Sequence, residues 1–405
     1  MVSPPIRICI PSLYRKIMIQ TIFIYTILAF CLFYFTKKSQ YYPGAKSVLL
    51  YSIPIILYTI VFGIRYGVGT DYFNYLEAYE AWNITHAEDH SWEPGFVLLN
   101  SICSYFHCHA TTLFSVIAFI QILLIYLTFK HDKDVLAYSM LMLIMLGIGL
   151  WNFQNGLRQA IAFVFFLFSI KFIINKKIIY FLLSIILAIN FHYSAIILIP
   201  IYFLYNKEKV YFNNQKMQYI ILGISAILSI LGIAQKLLGR FDSLILLLGY
   251  EKYLGSDFLS TFASGWTPYT YALIVVYFIF AYHYPNVRNF YQKDRFFEIL
   301  YDLFFIGTCL NFIFLGNMMF GRILSYFTNL SFIIFGYYIN YFINTYKHSY
   351  TNFISFAYIA FYILVFYIYA VLLHSYDHCI QYATFYQTHL HRIQEQMFTD
   401  FASNY

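Results

Sequence analysis

The sequence predicts an all-α fold, a polytopic bundle of transmembrane helices, on three observations. The 405 residues are 61% hydrophobic and 23% aromatic. Only 11% are charged, where a soluble domain carries about 25%. The apolar residues also come in runs close to the ~20 needed to cross a hydrocarbon core of ~30 Å.

In chain order, the runs predict spans at about 17–36, 48–64, 111–129, 135–151, 158–174, 178–191, 193–205, 217–234, 268–284, 299–316, 322–343 and 353–373, about twelve crossings. The segment "GFVLLNSICSYFHCH" (95–109) is apolar but short for a crossing, so it predicts a re-entrant or interfacial helix. The two spans flanking "NFHYSA" are also short, and read as a bent hairpin pivoting there or as one long tilted helix. The domain reading is a single integral-membrane domain over 1–405, with 1–17 as an N-terminal extension and 374–405 as an extramembrane tail. If translation starts at Met18, the chain opens directly on a span. The first apolar run is long and lacks a small-residue cleavage site, which argues against a cleaved signal.

Charge tests this arrangement. The short loops 37–46, 130–134, 171–177, 206–216, 285–298 and 344–352 alternate with the others along the chain and hold 15 of the 25 Lys and Arg residues. The positive-inside rule places them in the cytoplasm and puts the long loops 65–94 and 235–267 outside. The formal charge of +7 is thereby a topology signal and not a nucleic-acid footprint. The six cysteines form no CxxC pair, so neither a disulfide framework nor a zinc knuckle is indicated. The sequence contains neither GxxxxGK[ST] nor GxGxxG.

The residues that break the apolar pattern collect at the outer ends of the predicted spans. "GIRYGVGTDYFNYLEAYE" gives Arg65, Asp71, Tyr72 and Tyr75. "SWEPGF" gives Glu93, "WNFQNGLRQA" gives Asn155, Arg158 and Gln159, "NFHYSA" gives His192, and "GNMMFGRILSYF" gives Arg322 and Tyr326. Each has an ordinary explanation. An arginine at a span end anchors by snorkelling. Asp71 caps a helix, Glu93 closes a turn, and His192 is satisfied between helices. Together, Arg65, Arg158 and Arg322 facing one cavity would form a strong anion site, because the guanidinium fork matches phosphate oxygens and keeps its charge. With no dense carboxylates among these residues there is little to hold Mg²⁺, so no metal and no cofactor is expected. The anion this predicts is a diphosphate, on a polyisoprenoid carrying sugar.

"RYGVGTDYFNY", "EPGFVLLN", "NGLRQAIA", "FHYSA" and "GRILSYF" resemble, in order and spacing, the EpsG family of polysaccharide-biosynthesis membrane proteins, which is similar to the Wzy-type polymerases of O-antigen, capsule and exopolysaccharide. The resemblance runs from about 18 to about 373. It implies a GT-C-like fold in the bacterial cytoplasmic membrane and glycosyl transfer at its periplasmic face. A glycan on undecaprenyl diphosphate would be the donor, a single repeat unit on the same lipid the acceptor, and a chain-length regulator a further partner. Arg158, with Arg322 and Arg65, would neutralise the departing diphosphate. His192 is the preferred base, with Asp71 and Glu93 as competitors. Asn155, Gln159, Tyr72, Tyr75 and Tyr326 would line the substrate. Tyr72, Tyr75, Trp82 and Trp92 are candidates for stacking on sugars, or simply interfacial aromatics. The alternatives are a flippase of the lipid-linked unit and an outer-face glucosyl- or acyltransferase.

Overall fold

The computed structural model describes residues 10–85, 92–130, 132–207, 209–233, 266–369 and 381–387, together with His391, Glu395 and Thr399. Helix makes up 82% and no strand occurs among the described residues. The helices are α1 (Ile10–Ser39), α2 (Gly44–Gly63), α3 (Tyr72–Thr85), α4 (Pro94–Tyr105), α5 (Ala110–Thr128), α6 (Lys133–Met145), α7 (Ile148–Asn155), α8 (Leu157–Ile174), α9 (Ile178–Phe191), α10 (Ile199–Tyr205), α11 (Gln215–Ile230), α12 (Pro268–Phe290), α13 (Arg295–Ile313), α14 (Met318–Thr328), α15 (Ser331–Thr345) and α16 (Tyr350–Tyr367). Among the described residues seven helical segments are long and apolar enough to cross a membrane, and α6 with α7, bent by 75°, would make an eighth. The expected loop 235–267 lies outside the described residues except at its last two positions.

The helices fall where the apolar runs predict them, with three differences. The run at 135–151 is broken because Gly147 takes a left-handed φ of 69° and a Cβ there would meet the Trp151 ring at 3.3 Å. The segment 193–205 begins as a 3₁₀ turn (Tyr193–Leu198) before α10. The run at 322–343 divides into α14 and α15. Inside the first long loop, α3 starts at Tyr72, where the reading of Asp71 as a cap puts a helix. It forms because Tyr72, Tyr75, Leu76 and Tyr79 recur at helical spacing and are all buried. The segment at 95–109 is the twelve-residue α4, about 18 Å long and too short to cross.

The chain divides into two compact units. The first comprises residues 1–126, 140–160 and 363–405, and the second 127–139 and 161–362. In the first, α2 and α5 approach so closely at Gly63 that a Cβ would collide with Ser115 Oγ at 1.9 Å. Residues 381–387, read from sequence as part of a tail, dock on this unit. The Tyr66 N–H donates to Ala383 O (2.9 Å), the Phe385 N–H to Ile64 O (2.8 Å) and the Tyr382 hydroxyl to Val61 O (2.8 Å). In the second unit a Cβ on Gly307 would meet Phe327 Cβ at 2.3 Å, and one on Gly336 would meet Ser139 Oγ at 2.3 Å, so α13 packs on α14 and α15 on α6 without intervening side chains. The α13 carboxylate Asp302, fully buried, accepts the Tyr211 and Phe212 N–H groups (2.9 and 3.3 Å) and fixes the loop before α11.

Candidate functional site

The end of α2 delivers the first motif. Two glycines with left-handed φ, Gly67 (63°) and Gly69 (100°), turn the chain back on itself. A Cβ on Gly69 would stand 3.1 Å from Gln154 O, so the turn lies against the end of α7. Asn155, the last residue of α7, closes the contact. Its Oδ1 accepts the Asp71 N–H (2.7 Å) and the Thr70 hydroxyl (2.8 Å).

Arg65 sits inside that turn, 1% exposed. Its guanidinium donates to three backbone carbonyls, of Phe62, Val68 (3.4 Å) and Gln154 (3.1 Å), and lies over the Phe114 ring at 4.9 Å. Burial works against its charge. All three nitrogens are thus committed to backbone, a position that suits a brace for the turn and not the diphosphate ligand expected from sequence. Tyr72 is bound into the same core: its hydroxyl donates to Arg65 O (3.1 Å) and its ring stacks on Phe114 at 5.0 Å, leaving no face for a sugar.

Arg158 is placed differently. It stands in the first turn of α8, two positions after Gly156, and its side chain keeps 24% of its surface accessible. One edge pairs with the Glu93 carboxylate. The flat face lies 4.5 Å from the centre of the Trp92 ring. The buried Tyr75 hydroxyl is also hydrogen-bonded to Arg158. Burial pushes that hydroxyl's pKa up, while the neighbouring Arg158 pulls it down. Trp92 in turn stacks on Phe96 (5.0 Å) and touches Tyr75 (5.4 Å).

Glu93 reaches Arg158 because of how α4 begins. Pro94 occupies the first helical position, and Glu93 is the N-cap in extended conformation (ψ 145°) with no side-chain bond to the helix. Its carbonyl starts α4 by accepting the Phe96 and Val97 N–H groups, and its carboxylate is left to turn toward the guanidinium. Gln159 follows Arg158 on the same turn and is half-buried.

Three of the five motifs therefore meet in the first unit, and the other two meet in the second. His192 ends α9 with extended φ (−157°), and its carbonyl accepts the Ala195 N–H (3.0 Å). Ser194 Oγ and the hydroxyl of fully buried Tyr326 lie 3.1 Å apart, which ties this turn to α14. Arg322, one helical turn before Tyr326, is exposed. Among the described residues no three His, Cys, Asp or Glu side chains converge as metal ligands. Sequence reasoning missed the Arg158–Glu93 pair and the placement of Trp92. The available signal was a carboxylate set immediately before a helix-starting proline.

These helices, with polar residues gathered at their ends, define an all-helical, multi-pass membrane protein. The chain belongs to the EpsG family, whose profile matches residues 48–384 and so spans all five motifs. That membership places it in polysaccharide biosynthesis. No curated protein and no solved structure matches it.

Proposed function

We propose that the protein is a Wzy-type polymerase, a metal-independent glycosyltransferase that joins undecaprenyl-diphosphate-linked repeat units at the periplasmic face of the bacterial cytoplasmic membrane, on a GT-C-like bundle of about twelve crossings. The observation that carries this reading is Arg158: a partly accessible arginine at a helix N-terminus, held flat by Trp92 and opposed by one carboxylate, within the matched family region. A helix N-terminus favours anions, and a guanidinium offers two parallel N–H donors to a phosphate.

The reaction forms one bond and breaks one. An acceptor hydroxyl attacks the anomeric carbon of the donor glycan, the new glycosidic C–O bond forms, and the bond from that carbon to the diphosphate breaks. Undecaprenyl diphosphate departs with the electron pair, and Arg158 stabilises the charge it gains. When the diphosphate takes Arg158, Glu93 loses its cation and becomes the carboxylate best placed to receive the hydroxyl proton. The pairing moves Glu93 ahead of His192 and Asp71 as the base. Asp71 lies beside Tyr75, and its backbone N–H is anchored by Asn155. His192, Arg322 and Tyr326 retain as proposals the roles of alternative base, second diphosphate ligand and substrate contact.

Deletion in the native host tests the proposal. Loss of the polymerase leaves single repeat units on the surface glycan, restored to full-length polymer by the wild-type gene. Complete absence of surface units would reassign the protein as a flippase, and unchanged polymer would remove both readings.

A further inference from the structure

The turn after α4 brings together two cysteines that the proposed reaction does not use. The helix ends in a Schellman motif. The Cys108 N–H donates to Cys103 O (2.9 Å) and the His107 N–H to Ser104 O (2.8 Å). His107 supplies the left-handed residue that such a turn requires, at φ 51°. In this motif the side chain two positions past the cap packs on the one three positions before it. Counted from the cap Phe106, those side chains are Cys108 and Cys103. Any two apolar groups serve that contact, and a thiol at both ends is what a covalent link needs.

Both are free thiols in the structure. Cys103 is 4% exposed, on the buried face of α4 with Phe96 and Asn100, while Cys108 is half-buried. Burial pushes the Cys103 thiol's pKa up, and a thiolate on Cys108 pushes it further, as befits neighbours. The adjacent imidazoles do not turn the pair into a metal site. His109 Nδ1 accepts the Thr111 N–H (3.3 Å) at the start of α5, and among the described residues no three His, Cys, Asp or Glu side chains converge. Compartment then decides what two touching thiols become. The loop 65–94 before α4 is outward by the positive-inside rule, and α5 leads from this turn to the basic loop 130–134. Tyr105 and Phe106, 79% and 69% exposed, are the kind of rings that sit at the membrane–water boundary. The pair therefore stands at the outer face, where disulfides form and persist.

We propose that Cys103 and Cys108 form a disulfide that staples the last turn of α4, introduced by a periplasmic thiol–disulfide oxidoreductase. The inference rests on the outward placement of this turn and not on the sugar chemistry. The more accessible Cys108 attacks the oxidoreductase's disulfide as a thiolate, which gives a mixed disulfide and frees one of that partner's thiols. The Cys103 thiolate then attacks Cys108 Sγ. The intramolecular S–S bond forms, the mixed disulfide breaks, and the oxidoreductase leaves as a dithiol. The two cysteines lose two electrons and two protons, and the partner's disulfide gains them. The staple holds more than its own turn. Cys108 O accepts the hydroxyl of Tyr79 (2.7 Å), one helical turn after Tyr75 on α3, and α4 carries Glu93 at its other end. Fixing this turn keeps the elements that bear Tyr75 and Glu93 in register.

The test takes the full-length protein from its native host under N-ethylmaleimide, which alkylates the thiols present in the cell before lysis, and maps its cysteines by mass spectrometry. The expected product is a Cys103–Cys108 bridge without label, two hydrogens lighter than the thiol pair. In neutral detergent, dithiothreitol is expected to lower the wild-type Tm on the order of 2–4 °C. It should leave the Tm of Cys108→Ala where it was. Should that variant fail to fold, the mapping of the wild type decides alone. Both thiols alkylated would overturn the proposal, and oxidised glutathione added to the purified protein then separates the causes. A bridge that forms under glutathione faults the outward placement, and none faults the geometry. A bridge from either residue to Cys9 or Cys379, which lie outside the described residues, or a wild-type Tm unmoved by dithiothreitol, would equally overturn it. The deletion phenotype tests the polymerase reading separately from all of these results.

Discussion

Arg65 and Arg158 look alike in the sequence: each is a lone arginine beside a glycine-containing turn, next to an apolar helix. In the structure they hold opposite positions. Arg65 is sealed in, with its nitrogens spent on the Phe62, Val68 and Gln154 carbonyls. Arg158 is anchored through a carboxylate, a ring face and a tyrosine hydroxyl, partners on side chains that can reorient, and it keeps an open edge. A guanidinium bonded to backbone cannot be given up to a ligand without unfolding a turn. One held by side chains can. The difference lies in the partners, and the partners are 65 to 83 residues away for Arg158 and up to 89 for Arg65.

The comparison predicts that truncating the two arginines fails in different ways. Arg65→Ala leaves three buried carbonyls without donors and is expected to cost about 3–5 kcal/mol, so the protein should be lost from the membrane fraction, and Arg65→Lys should not rescue it. If Arg65→Ala accumulates normally and loses only polymer, the brace assignment fails. Arg158→Lys keeps the charge and loses the fork, so protein level should hold while polymerisation drops on the order of 10²-fold. A lysine variant that makes full-length polymer would reduce Arg158 to an interface anchor. Arg158→Ala also strips the buried Glu93 of its cation, costing about 1–3 kcal/mol. Adding Glu93→Gln should restore the amount of protein but not the activity, and recovery of both would show that neither group acts in the reaction. A smaller effect belongs to Tyr75→Phe, which removes one hydroxyl from Arg158: about 1 kcal/mol, seen as a several-fold loss of polymer at normal abundance. The smallest effect expected is none. Polymerisation in detergent should survive EDTA, and activity abolished by EDTA and regained with Mg²⁺ or Mn²⁺ would call for a metal near Asp71 and Glu93.

Much of the helical layout was legible because apolar run length is a local property. The predicted 178–191 span matches α9 (Ile178–Phe191), and the run at 158–174 is α8 within one residue. The helix α3 was legible only as what Asp71 would cap, because its buried face is built from tyrosines, which read equally as interface or sugar-stacking residues until a neighbour such as Phe114 is seen against them. The candidate site was legible as a set of residues and not as an arrangement. Sequence grouped Arg65, Arg158 and Arg322 by charge and by their place at the outer ends of predicted spans. Hydrogen-bond partners separate them, because whether an arginine meets a carbonyl, a carboxylate or solvent depends on which distant turn the fold brings to it. The apolar break at Gly147 and the tight contact at Gly63 were equally hidden, since both depend on what stands opposite the missing Cβ.

The docking of residues 381–387 has a consequence for how the protein is made. Tyr382 bonds to Thr21 across 361 positions and to Val61 across 321. At about 5–20 residues per second, the ribosome delivers this piece roughly 16 to 72 s after the residues it bonds to. During that interval the Arg65 turn has inserted but lacks the Ala383 carbonyl that accepts the Tyr66 N–H and the Phe385 N–H that donates to Ile64 O. A nascent chain carrying every span up to α16 is therefore still an unfinished protein, with an open backbone edge beside its buried arginine. Premature termination anywhere before residue 381 is expected to leave that edge open.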